Sequence, residues 1–205
     1  MRFEAIVFDF DGTLVDSAPA KRNAFFAIFP ASAAHRAIIA AALNEDPDGS
    51  RHRVIPLMAE RMKAAGLDPG ASQEAELIDR YGEVSEMAVA TAQELPGATA
   101  LLAALAPHIP LHVCSNTPEA TVRAHVAARG WNQYFRSVDG YPTSKSFRVA
   151  AILKSGGFLP QRLAVVGDGI SDEAAATENG CVFLAIRAPD DLAYAGRIIT
   201  GEPHA

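Results

Sequence analysis

Short apolar runs at residues 3–8, 111–115, 163–167 and 181–186 set the tightest limits on what this chain can fold into. Each has the length and character of a strand, and a weaker one lies at 135–138. Helix-length segments separate them. Residues 118–129 open at Pro118, just after Asn116-Thr117, and stop at Gly130. Residues 146–156 end in glycine, and 171–179 stop at Gly180. Strands that alternate with helices predict an α/β fold, a Rossmann-like parallel sheet with helices on both faces.

Residues 16–95 break that rhythm. The stretch is Ala-rich and reads as helix throughout. Val54, Leu57, Met58, Arg61 and Met62 recur at helical spacing, as do Leu77, Tyr81, Val84 and Ala88. Asp46-Pro47-Asp48-Gly49 and Gly66-Leu67-Asp68-Pro69-Gly70 punctuate it, and Leu95-Pro96-Gly97 closes it. The expected organisation is a core domain from residues 1–15 and 96–205, interrupted by a helical domain at 16–95.

With 205 residues, 49% hydrophobic and 20% charged, the chain has enough apolar material for a real core and too little charge for disorder. A net charge of -6 argues against a nucleic-acid surface. An acidic protein that handles anionic phosphate needs local compensation from a cation, a lysine or backbone N–H groups. The two cysteines, Cys114 and Cys181, each sit in an apolar strand-like run and read as buried reduced thiols. That favours a reducing compartment, and cytoplasmic localisation is the expectation. Met1-Arg2-Phe3-Glu4 enters a strand directly, without a secretory apolar segment. No apolar run reaches the roughly 20 residues that span a bilayer.

In an open parallel sheet, ligands bind beyond the carboxyl ends of the strands. The first strand ends in Asp9-Phe10-Asp11-Gly12-Thr13, two carboxylates two residues apart. Such a pair is poor for local stability, because like charges repel and Asp disfavours strands. It is useful where a metal cation holds the carboxylates and one attacks a phosphorus atom. After the second strand come Ser115, Asn116 and Thr117. After the fourth come Gly167-Asp168-Gly169-Ile170-Ser171-Asp172-Glu173, and Lys145 lies between the third and fourth. Each has a plain alternative: Asp-Gly turns, a helix cap at Ser115 to Pro118, a first-turn carboxylate at Asp172, a solvated Lys145. Their joint occurrence after strands points to a site.

These four motifs, in this order, resemble those of the haloacid dehalogenase superfamily. The likeness covers essentially the whole chain, and the helical insert is similar to the cap of the phosphoglycolate phosphatase-like subgroup. That subgroup commonly has Lys-Pro at the third motif, where this chain has Lys145-Ser146. Lys154 is a competitor, further from a strand end.

The resemblance implies a Mg²⁺-dependent phosphatase acting on a small phosphorylated metabolite. Asp9 attacks phosphorus to form an aspartyl-phosphate. Asp11 protonates the leaving alkoxide and then activates water. Asp9, Asp168 and the Asp11 backbone carbonyl ligate Mg²⁺, while Asp172 holds a metal-bound water or orients Lys145. Ser115, Asn116 and Lys145 bind the phosphoryl oxygens, helped by N–H groups around Gly12 and Thr13. Arg51, His52 and Arg53, at the start of a helix in the insert, are candidate specificity residues beside the reading of a solvated helix face. Asp11 argues against the dehalogenase branch, which has no alkoxide to protonate. The alternatives are a phosphomutase, whose cap histidine has no counterpart in residues 19–23, and a non-catalytic phosphate-binding regulatory protein. The chain is expected as a monomer or homodimer.

Overall fold

A computed structural model describes residues 1–47, 49–71 and 73–201. Contacts divide the chain into two compact units: Met1–Asp16 with the chain from Gln93 onward, and Ser17–Ala92.

The first unit is built on five parallel strands: β1 (Ala5–Phe8), β2 (Leu111–Pro118), β3 (Phe135–Tyr141), β4 (Leu163–Gly167) and β5 (Val182–Ala185). Their order is β3-β2-β1-β4-β5. Every residue of β1 and β4 is buried. An apolar run without alternation is what a central parallel strand needs, since both of its faces are covered. The chain first builds outward from β1 through β2 to β3, then returns to the other side of β1 for β4 and β5. The reversal lies between β1 and β4, where ligand crevices form in such sheets.

Helices α5 (Ala98–Leu105), α6 (Glu119–Ala128), α7 (Lys145–Gly156), α8 (Ile170–Glu178) and α9 (Asp191–Thr200) complete this unit. Ala5 and Val7 of β1 share a core with Cys114, Val165, Val149 and Ile152 of α7, and Ala175 and Ala176 of α8. Helices α5 and α9 have no counterpart in the sequence reading. The α5 segment, Ala-Thr-Ala-Leu-Leu-Ala-Ala-Leu, has almost no polar positions to mark a helical period.

The second unit holds α1 (Ala18–Ala27), α2 (Ala33–Glu45), α3 (Arg51–Ala64) and α4 (Glu74–Thr91). They pack around one core that includes Phe25, Ile39, Val54, Ile55, Met58, Met62, Leu77 and Tyr81. The periodic positions Val54, Met58, Met62, Leu77 and Tyr81 face that core. Asp48, within the first expected break, lies outside the described residues. None of the described helices is long and apolar enough to cross a membrane.

Several boundaries moved. Strand β2 runs on to Pro118 because Pro118 pairs with Tyr141 of β3, so α6 begins at Glu119. Cys181 lies just outside β5 and is half-buried, whereas Cys114 is buried within β2; both thiols are free. Burial pushes both thiols up, Cys181 to about 11.

Candidate active site

The site is assembled at the carboxyl ends of β1, β2 and β4 and the start of α7. Asp9 follows β1 directly, and its N–H donates to the Val166 carbonyl at 2.8 Å, which continues the pairing with β4 by one residue. The turn then closes on itself: Gly12 N–H donates to the Val15 carbonyl at 2.8 Å, while Leu14 and Val15 N–H both donate to the Phe10 carbonyl. Gly12 has φ +77°, and a Cβ there would stand 2.1 Å from Asp168 Oδ2. Both the backbone conformation and the approach of Asp168 therefore require glycine.

Lys145 joins the carboxylates. It is the first residue of α7, whose Ser144 N-cap hydroxyl accepts from Phe147 N–H at 3.3 Å. Its Nζ donates to Asp172 Oδ1 at 2.8 Å and lies 3.0 Å from Asp9 Oδ1. Lys145 is only 6% exposed, and Asp9 and Asp172 are equally withdrawn from solvent at 6% and 1%. Burial works against the ammonium, but the charges of Asp9 and Asp172 outweigh it and hold the Lys145 pKa above its ordinary value. Lys154 is exposed, so Lys145 is the lysine of this cluster. Asp172 also accepts from Gly169 N–H at 3.3 Å, which caps α8. Both Asp172 oxygens are thus engaged, one of them in orienting Lys145.

Asp168 completes the group. Thr13 Oγ1 donates to its Oδ1 at 3.2 Å. One oxygen from each of Asp9, Asp168 and Asp172 lies within 4.8 Å of the others. Burial, and then the charge of Asp9, push Asp168 and Asp172 up to about 7 against the pull of Lys145. Asp9 Oδ1 is buried, and its contact with Lys145 falls outside hydrogen-bond geometry. Three crowded carboxylates with one buried oxygen short of a hydrogen bond form an all-oxygen donor set that fits a hard divalent cation.

The second loop owes its shape to an interrupted ladder. The pairing of β2 with β3 shifts register between Cys114 and Pro118, so residues 115–117 fall out of regular pairing. Such irregularities re-aim side chains next to sites. Ser115 is buried and its Oγ accepts from Thr117 N–H at 3.1 Å. Asn116 is exposed, and its Nδ2 donates to Ser171 Oγ at 3.1 Å, tying this loop to the start of α8. Thr117 Oγ1 donates to Asp11 Oδ2 at 2.7 Å.

Asp9, Lys145, Asp168 and Asp172 therefore form one cluster, and Thr117 links Asp11 to Ser115. One expectation fails. The Gly12 N–H is not open to a phosphate, because Val15 takes it, and Thr13 is fully buried with its hydroxyl on Asp168. Arg51, His52 and Arg53 lie in the helical unit. There the Arg51 guanidinium sits 5.4 Å from the Tyr81 ring centroid, and Arg53 pairs with Asp46. Sequence reasoning missed the contacts of Thr13, Ser171 and Thr117. Their only signal was polar residues adjacent to the motif carboxylates.

The family model for haloacid dehalogenase-like hydrolases matches residues 3–180, and the chain belongs to that family of hydrolases. A phosphoglycolate phosphatase of Synechococcus elongatus is 29% identical over 189 residues, covering 89% of this chain and 83% of that protein. The tyrosine-protein kinase PtkA of Mycobacterium bovis is 31% identical over 183 residues, which span 86% of this chain but only 60% of that protein. A solved structure of a predicted phosphoglycolate phosphatase from Haemophilus somnus superposes with a TM-score of 0.75 at 20% identity, over 97% of this chain and 98% of that one. That likeness establishes the fold.

Proposed function

We propose that this protein is a Mg²⁺-dependent phosphatase that hydrolyses a small phosphorylated metabolite through an aspartyl-phosphate on Asp9. The observation that carries this reading is Lys145, buried between Asp9 and Asp172 with Asp168 in reach. The likeness to a phosphoglycolate phosphatase supports a small phosphomonoester as substrate.

Asp9, Asp168 and the Asp11 backbone carbonyl would hold Mg²⁺, whose charge offsets the repulsion between carboxylates and phosphate. An Asp9 oxygen attacks phosphorus, and the bond from phosphorus to the ester oxygen breaks. Asp11 gives its proton to the departing alkoxide. Ser115, the Asn116 N–H and Lys145 bind the phosphoryl oxygens, which carry the charge that develops during transfer. Asp11, now a carboxylate, takes a proton from water as that water attacks the aspartyl-phosphate. Inorganic phosphate leaves and Asp9 is restored. Asp172 acts through Lys145, whose ammonium it holds toward Asp9. Substrate selection is assigned to the helical unit, with Arg51, His52 and Arg53 as its candidates.

Phosphate release from p-nitrophenyl phosphate and a panel of phosphorylated metabolites tests this reading. Activity is expected with Mg²⁺ and not with chelator. Asp9→Asn is expected to lose on the order of 10⁴-fold or more, the scale of removing a covalent nucleophile. Full activity in Asp9→Asn would overturn the nucleophile assignment, and no activity across the panel would overturn the phosphatase reading.

A further inference from the structure

We infer that Thr117 is a positioning residue for the acid–base step, and that it sets the orientation of the Asp11 carboxylate. This assignment rests on the role of Asp11 proposed above. A carboxylate at a strand end has a broad torsional well about its last bond and needs an external partner to define its plane. Thr117 supplies one. Its hydroxyl donates to Asp11 Oδ2 at 2.7 Å, across a sequence separation of 106 residues. At this length the O–H···O contact is a well-formed hydrogen bond, and Oδ2 can accept it while the other carboxyl oxygen carries the proton to be donated.

Thr117 is itself held firmly. It is 8% exposed. Its N–H donates to Ser115 Oγ at 3.1 Å. One residue thus grips the hydroxyl assigned to the phosphoryl group and the carboxylate assigned to the leaving group. The irregular pairing between Cys114 and Pro118 frees residues 115–117 for this, since a regular strand would alternate them between opposite faces. The device registers the proton donor against the phosphoryl-binding hydroxyl, so that both meet the same ester. Misplacement of a reacting group by about 1 Å costs on the order of 100-fold in rate.

The consequence is a dependence on leaving group. An alkyl phosphate expels a strongly basic alkoxide and needs Asp11 as acid. An aryl phosphate such as p-nitrophenyl phosphate expels a stable phenolate and needs it little. The specificity constant kcat/KM reports only the steps up to formation of the aspartyl-phosphate, so the later use of Asp11 as base does not enter. Thr117→Val keeps the shape of the side chain and removes the donor. It is expected to lower kcat/KM for an alkyl phosphate by about 10- to 100-fold, and to leave kcat/KM for p-nitrophenyl phosphate within about threefold. Thr117→Ser restores the hydroxyl and is expected to recover most of the loss. Thr117→Ala serves in place of Val should the latter fail to fold.

Equal losses on both esters, or no loss on either, would overturn the assignment. So would failure of Thr117→Ser to rescue. Asp11→Asn in the same assay separates this from the underlying reading. If it spares the alkyl ester, Asp11 is not the acid, and the functional proposal fails before Thr117 is reached.

Discussion

Gly167 shows how little room the site leaves a single residue. It ends β4, and a Cβ there would stand 2.2 Å from Asp172 Cγ and 2.5 Å from its Oδ2. Asp172 cannot retreat, because Lys145 and Gly169 hold its two oxygens. Gly167→Ala therefore forces either the strand end or Asp172 to move. Overpacking of this kind costs about 1–3 kcal/mol. Chemical denaturation is expected to show that loss, with activity falling alongside as Lys145 loses its anchor. A variant with unchanged stability would mean that Asp172 has freedom the structure does not suggest. Lys145 follows the same logic in reverse. From sequence it is one of two lysines near the third motif, and only partners from distant segments distinguish it from Lys154.

Strand β2 carries a buried titrating group whose effect on stability has a clear sign. His112 is 7% exposed, and its Nδ1 lies 2.9 Å from Ser137 Oγ, which donates on to Asp139 Oδ2 at 2.7 Å. Burial lowers the His112 pKa to about 4; Asp139 opposes that shift and Arg136 reinforces it. In the unfolded chain the imidazole takes its proton near 6.5. Between pH 6.5 and about 4 the unfolded state therefore binds more protons, and folding stability falls as pH drops through that window. Below about 4 this group contributes no further loss. At about 1.4 kcal/mol per pH unit the full effect is about 3 kcal/mol. Denaturation of His112→Asn beside the parent at pH 7, 5.5 and 4 is expected to show a shallower decline in the variant. Parallel curves would exclude His112 as the source.

The carboxylate group at the carboxyl ends of β1 and β4 predicts how the folded protein responds to metal. Asp9, Asp168 and Asp172 crowd one another around Lys145, and the crowding disfavours their joint ionisation without a further cation. A divalent cation that binds only the folded state stabilises it by about 2.7 kcal/mol at 100 times its dissociation constant. Thermal melting with added Mg²⁺ is expected to rise accordingly, and to revert with chelator. Asp168→Asn is expected to abolish most of that response while leaving the fold intact, because Asp168 is the exposed member of the group. An Asp168→Asn melt that still rises with Mg²⁺ would place the cation elsewhere.

Local patterns in the chain were enough to determine the parallel sheet, the all-helical stretch between β1 and β2, and the placing of Asp9, Asp11 and Asp168 after strands. Apolar runs, glycine stops and residue spacing are near-neighbour properties, and they remain legible without the fold. Boundaries were less legible where pairing overrode propensity, as at Pro118, which joins β2 through Tyr141 instead of opening a helix. What only the tertiary structure decided is which groups face one another. Lys145 became a buried bridge, the Gly12 N–H turned inward to Val15, and Thr117 reached Asp11. Those outcomes depend on distances of a few ångströms between segments far apart in sequence, set by strand order and by the interruption of the β2–β3 ladder between Cys114 and Pro118.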